Sequence, residues 1–132
     1  TSSNGMVGFN RLKDIRRLAP GDLIAVKYLD SSSVTGHIML IMGSPRFVGT
    51  LRQESQFDVL IADSSSSYHG QNDTRYLHKD SSGPDEGAGI GTLQLLVDTK
   101  FEIVGYRWSN LDSSKIYRSD TRPLAVGRLM PR

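Results

Sequence analysis

A histidine at the head of an apolar run is the residue of this sequence best placed to do chemistry. His37 follows Gly36 and opens the stretch HIMLIMG. An imidazole changes protonation near neutral pH, so it can act as a general base or bind a metal ion. The simpler interpretation is a strand-end histidine that hydrogen-bonds a loop carbonyl, and the choice depends on its neighbours.

An aspartate ends a second apolar run, DVLIAD, at residue 63. Side chains alternate along a strand, so Asp63 and His37 each share a face with two apolar residues of their own runs. If the two strands are neighbours, the carboxylate and the imidazole meet at one edge of the sheet. Asp63 would then fix the tautomer of a catalytic base, His37. An aspartate that caps a turn is the alternative.

A long polar segment follows Asp63, over residues 64–89. Connections of this length in a compact domain are usually functional or disordered, and this one carries histidines, acids and an arginine. We predict that His69, Asp73 and Arg75 shape a substrate cleft, with Arg75 pairing Asp73 or meeting a ligand carboxylate. A loop that orders itself through its own hydrogen bonds is the alternative.

No metal site or cofactor is predicted. The histidines show neither H-x-x-x-H nor H-E-x-x-H spacing, although His78 adds a third imidazole to the chain. The glycine-rich stretch GPDEGAGIG at residues 83–91 lacks the lysine and the serine or threonine of a phosphate-binding loop. We predict that it forms a turn.

Composition indicates one globular domain over residues 1–132. Hydrophobic residues make up 37% and charged residues 23% of the chain, and the net charge is only +2, with scattered basic residues. Neither a nucleic-acid surface nor a membrane segment is expected. The sequence contains no cysteine, and therefore no disulfide and no thiol nucleophile of its own.

The elements that position these residues are predicted to form an α+β domain. In FNRLKDIRRLAP, residues 9–20, apolar residues recur at intervals of three, which predicts a short N-terminal helix that Pro20 ends. About six strands follow, and short connections favour a curved antiparallel sheet. The clearest strand sequences are LIAVKYL, HIMLIMG, DVLIAD, IGTLQLLVDT, FEIVGYRW and LAVGRLMP.

The order of these motifs resembles the NlpC-type branch of the papain-like cysteine peptidases and amidases. The resemblance covers roughly residues 20–109 and is carried by Pro20-Gly21-Asp22, Gly36-His37 and Asp63. It implies a papain-like core, a base at His37, an orienting residue at Asp63 and hydrolysis of amide bonds in cell-wall peptides. A bacterial periplasmic or extracellular location follows from the resemblance alone.

The chain departs from that family at the nucleophile, a cysteine on a helix upstream of the Pro-Gly-Asp turn. The nucleophile helix could precede Thr1, or Ser3 in SSNGMVGF could occupy the nucleophile position. The third explanation is a non-catalytic module that binds a peptide or glycan on the same fold. We expect a cysteine hydrolase that is inactive as the isolated chain, with a cell-wall peptide as substrate and its own upstream segment as a partner.

Overall fold

Almost all regular structure in the protein is β-strand. The computed structural model describes residues 8–30 and 33–130, so Ser3 lies outside the described residues. Within those ranges it contains nine strands, a 3-10 turn at Ile15–Arg17 and one four-residue helix, α1 (Thr74–Leu77). The strands are β1 (Phe9–Leu12), β2 (Leu23–Lys27), β3 (Gly36–Ile41), β4 (Arg46–Leu51), β5 (Glu54–Ser65), β6 (Gly87–Val97), β7 (Ile103–Arg107), β8 (Ile116–Arg118) and β9 (Leu124–Leu129). The predicted α+β, papain-like class with about six strands is therefore wrong.

All nine strands belong to one antiparallel sheet. Its order is β1-β9-β2-β3-β5-β6-β7-β8, with β4 paired to β5. The segment just beyond β1, at one end of this path, approaches β7 near the other end, where the backbone N–H of Ile15 donates to the carbonyl of Phe101 at 2.9 Å. The sheet thus curls around its inner face.

The central strand β5 is long enough to pair with two strands along one edge. Its first part faces β4, with Arg46 opposite Asp58, and its later part faces β3, with Leu40 opposite Ala62. Its other edge pairs with β6 over its whole length, from Ser55 to Ser65. This arrangement brings β3 next to the end of β5 that carries Asp63.

The core lies on the inner face, where alternate residues of the central strands are buried. Its fully buried members in β2, β3, β5 and β6 are Ile24, Met39, Ile41, Val59, Ile61, Leu93 and Leu95. The same alternation leaves Ile38, Leu40 and Met42 exposed on the outer face. His37 and Asp63 continue the two inner rows, as the period of two predicts.

The predicted N-terminal helix is wrong, because its first residues form a strand at the edge of the sheet. Phe9–Leu12 pair with β9, and only a short 3-10 turn follows. Leu12, Ile15 and Leu18 are buried, so the three-residue spacing does mark the core-facing residues. Phe9 is exposed and lies over Gly127, where a Cβ would meet the Phe9 Cβ at 2.9 Å. Pairing with β9 therefore outweighs a weak helical pattern.

The polar segment predicted over residues 64–89 is shorter than expected, because β5 extends to Ser65 and β6 begins at Gly87. The glycine-rich stretch enters β6 and is not simply a turn. Ser65 stands opposite Gly87, and Asp63 stands opposite Gly89. The excursion between β5 and β6 then contains α1 and returns to the same end of the sheet.

Asp22, in the Pro-Gly-Asp turn before β2, links this end of β2 to the neighbouring strand β9. Gly21 adopts φ +96°, a left-handed conformation that favours glycine. The buried Asp22 carboxylate accepts from the Ala19 backbone N–H at 2.8 Å and from Arg128 of β9 at 2.8 and 3.0 Å. The hydrogen bond from Arg128 is the main cause that lowers the pKa of Asp22, against the effect of burial.

The helices in the described part of the chain are too short to cross a membrane.

Asp22→Asn should lower the free energy of unfolding by about 1–3 kcal/mol at neutral pH, since it removes the charged acceptor of a buried cluster. A lowered folded-state pKa stabilises the protein above the unfolded value near 4 and loses that contribution as the pH falls. The difference between the two proteins should therefore shrink between pH 6 and pH 3 in urea unfolding curves. A difference that grows over this range would contradict the assignment.

Candidate functional site

His37 and Asp63 lie side by side at one end of the sheet. Nε2 of His37, in β3, is 2.6 Å from Oδ2 of Asp63, in β5. Leu40 stands opposite Ala62, so His37 meets Asp63 across a diagonal of the inner face. The predicted proximity of these two side chains is confirmed. Their catalytic role stays a prediction.

Two further side chains, His69 and Arg75, contact the Asp63 carboxylate. Nε2 of His69 lies 2.7 Å from Oδ2, and Nη2 of Arg75 donates to Oδ1 at 2.6 Å. Burial raises the pKa of Asp63, but the hydrogen bonds from His37 and His69 and the contact with Arg75 lower it well below its usual range. Asp63 is therefore an ionised carboxylate with donors on both oxygens.

Each ring nitrogen of His69 has a hydrogen-bond partner. Nδ1 faces the carbonyl oxygen of Trp108 at 2.7 Å, and a carbonyl oxygen only accepts. Nε2 faces the ionised Asp63 carboxylate, which also only accepts. Both ring nitrogens of the fully buried His69 thus face acceptor oxygens.

Asp73 holds in place the two residues behind Asp63, His69 and Arg75. It caps α1 by accepting from the backbone N–H of Arg75, and it accepts from the Arg75 side chain at 3.0 and 2.9 Å. It also accepts from the backbone N–H of His69 at 2.8 Å. Two carboxylates, Asp63 and Asp73, thus face the Arg75 cation and the hydrogen-bonding groups of His69. These partners avoid the large cost of an unpaired buried charge.

His69, Asp73 and Arg75, predicted to contact substrate, are almost completely buried behind Asp63. In this structure they hold the carboxylate and each other. His78, the remaining histidine, is exposed at the C-terminal end of α1 and takes no part in the cluster.

Two glycines of β6 make room for the cluster. A Cβ at Gly89 would overlap the Arg75 guanidinium, and one at Gly91 would lie 2.5 Å from Oδ2 of Asp73 and 2.8 Å from Cβ of His69. The sequence analysis missed this role. The alternation G-x-G-x-G over residues 87–91 was the available signal, since it removes every side chain from one face of a strand.

The imidazole of His37 borders an open cavity of about 550 Å³. Besides His37, aromatic, apolar, basic and serine side chains line this cavity. They are Tyr28, Trp108, Tyr117, Val34, Arg122 and the four serines at residues 64–67. Trp108 contacts the core and also stacks on His69 at 3.9 Å between ring centroids. The sequence did not predict this aromatic wall.

Nδ1 of His37 has no hydrogen-bond partner among residues 8–30 and 33–130, while Nε2 is engaged by Asp63. In the tautomer whose Nε2 donates to the carboxylate, Nδ1 is the nitrogen with a lone pair. The arrangement can therefore accept a proton from a group in the cavity.

No family model matches this sequence, and no solved structure matches it. An uncharacterised protein of Acanthamoeba polyphaga mimivirus is similar to it, with 34% identity over 134 residues. The match covers 92% of this chain and 58% of the viral protein, so the chain spans somewhat more than half the length of this relative.

Arg75→Ala should destabilise the protein by about 3–5 kcal/mol, because it leaves two buried carboxylates short of a cation. Arg16→Ala is a matched control. Arg16 also follows its aspartate by two residues, and Asp14 also caps the turn, but this pair is exposed. Unfolding in urea should show a large loss for Arg75→Ala and little or none for Arg16→Ala. Equal losses of unfolding free energy would show that burial of the Asp63 cluster does not increase its contribution to stability.

Proposed function

We propose that His37 is the general base of a hydrolase that cleaves acyl bonds, with amide bonds of peptides as the substrate class. The observation that carries the proposal is the 2.6 Å contact between Nε2 of His37 and Oδ2 of Asp63, in a ring that borders the cavity and whose Nδ1 has no hydrogen-bond partner among the described residues. Support comes from the dyad and its cavity, and not from a papain-like fold.

The carboxylate prepares His37 for this role in two ways. It accepts the Nε2 proton, so the basic nitrogen is Nδ1, and its negative charge stabilises the imidazolium that forms after proton transfer. His69 and Arg75 keep the carboxylate ionised and in place. A base held in one orientation loses little entropy in the transition state.

The nucleophile in this proposal comes from outside the chain, because the sequence has no cysteine. Nδ1 of His37 takes the proton of a thiol, the thiolate attacks the carbonyl carbon, and the imidazolium returns the proton to the leaving amine. The chain alone is therefore expected not to hydrolyse amides. It should still accelerate the reaction of an added thiol with an activated ester.

Activated-ester chemistry tests the base directly. In EDTA-containing buffer with a small added thiol, the protein should accelerate p-nitrophenyl acetate cleavage about tenfold or more over His37→Ala. The control is His78→Ala, which removes an exposed imidazole and should lose only the background reactivity of a free histidine. Equal rates for His37→Ala and the unsubstituted protein would refute the proposal that His37 is the general base.

A second candidate function is binding without chemistry, and the aromatic cavity wall favours it. Tyr28, Trp108 and Tyr117 line the cavity, and the Arg122 guanidinium lies over the rings of Tyr28 and Tyr117, a mixed aromatic and cationic wall that suits a peptide or a glycan. Serines 64–67 add hydroxyls that can donate and accept along the same cavity.

Trp108 is the only tryptophan of the sequence and reports on this cavity. A cell-wall peptide or oligosaccharide that binds there should change its fluorescence in a saturable way. Tyr117→Ala should weaken such binding, whereas His37→Ala should leave it nearly unchanged if the site only binds. Saturable binding with an inert His37 would favour the module over the hydrolase.

A further inference from the structure

We propose that His37, Asp63 and His69 form a binding site for one divalent transition-metal ion, with Zn²⁺ or Co²⁺ as the best-suited ions. The three ligand atoms, Nε2 of each histidine and one carboxylate oxygen of Asp63, all lie within 4.8 Å of one another. Two imidazoles and one carboxylate suit zinc, cobalt, nickel and iron, whereas Mg²⁺ and Ca²⁺ prefer oxygen ligands throughout.

The surroundings of the ligands favour metal binding. Nδ1 of His69 donates to the Trp108 carbonyl at 2.7 Å, which aims Nε2 at the shared point. Arg75 holds the second oxygen of Asp63 at 2.6 Å, and Asp73 holds Arg75 in turn. Histidine ligands in metal sites are commonly oriented by a backbone carbonyl or a carboxylate in this way.

Binding requires only a small movement. The two histidine nitrogens lie 2.6 and 2.7 Å from Oδ2 of Asp63. With metal–ligand bonds of about 2.0–2.2 Å, each angle between nitrogen, metal and oxygen would be somewhat below a right angle. This geometry is closer to a five- or six-coordinate ion than to a tetrahedral one. His37 can open the angle, because its side chain is 16% exposed and the other two are fully buried.

Charge also permits a dication. Asp63 and Asp73 bring two negative charges to the cluster, and Arg75 brings one positive charge. A dication bound by two neutral imidazoles leaves the cluster with one net positive charge, which a hydroxide or an anionic ligand can neutralise. Of the three ligands only His37 borders the cavity, while the side chains of Asp63 and His69 are fully buried, so a further ligand would enter past His37.

The spacing rules of the sequence analysis could not detect this site. They describe ligands on one helix, whereas these three come from β3, β5 and the segment after β5. Binding itself does not depend on the proposed hydrolase function. One consequence rests on that function: an ion on Nε2 of His37 leaves the proton on Nδ1, so metal binding and base catalysis exclude each other.

The experiment is a titration of EDTA-treated, desalted protein with Zn²⁺ by calorimetry and with Co²⁺ by visible absorption and Trp108 fluorescence. We expect one ion per chain and quenching by Co²⁺, because Trp108 stacks on His69 at 3.9 Å. His37→Ala should weaken binding roughly tenfold or more, and an excess of Mg²⁺ should not compete.

His78→Ala is the matched control and should bind like the unsubstituted protein. His37 is the preferred variant because it is the least buried ligand, and its circular dichroism spectrum checks that the variant folds. Zn²⁺ affinity unchanged in His37→Ala, affinity lost in His78→Ala, or no saturable binding at all would each overturn the metal site. Because the ester assay contains EDTA and this titration contains no ester, the two proposals can fail separately.

Discussion

The buried Asp63 carboxylate is the group on which the arrangement of this end of the protein depends. An ionised carboxylate away from water is tolerated only when donors surround it. Here β3 supplies His37, the segment after β5 supplies His69, and α1 supplies Arg75. One charge thus joins the segment between β5 and β6 to β3, which lies far from it in the sequence.

The same requirement explains why so short a helix has a defined position. The buried residue of α1 is Arg75, an ion-paired residue in place of the usual apolar one. Its guanidinium lies over the glycines of β6, donates to the Gly87 carbonyl at 3.0 Å and spans both carboxylates. The loop therefore docks through charge and hydrogen bonds, and its order depends on the ionisation of the cluster it covers.

A proton and a metal ion compete for the same atoms in this cluster. In the proposed hydrolase, Asp63 is the orienting partner of His37, and Nδ1 of His37 serves as the base. With an ion between the two imidazoles, the carboxylate becomes a ligand and His37 loses its basic nitrogen. The similarity to part of a longer viral protein leaves both chemistries as proposals for the whole polypeptide.

The sequence by itself determined which side chains share a face. The apolar alternation in residues 36–43 and 58–63 places His37 and Asp63 on the inner rows of their strands, and Pro20-Gly21-Asp22 marks the turn before β2. These features follow from a period of two and from local turn chemistry, which neighbouring residues are sufficient to specify.

Only the tertiary structure decided which strands are neighbours and what lies behind Asp63. The β3–β5 pairing, the use of residues 9–12 as an edge strand and the burial of His69 and Arg75 all join segments far apart in the chain. Such contacts are selected by the free energy of closing the whole sheet and neutralising its buried charges. A local sequence pattern does not contain that free energy. The spacing of residues 9–18 therefore predicted a helix, although residues 9–12 form a strand that pairs with β9.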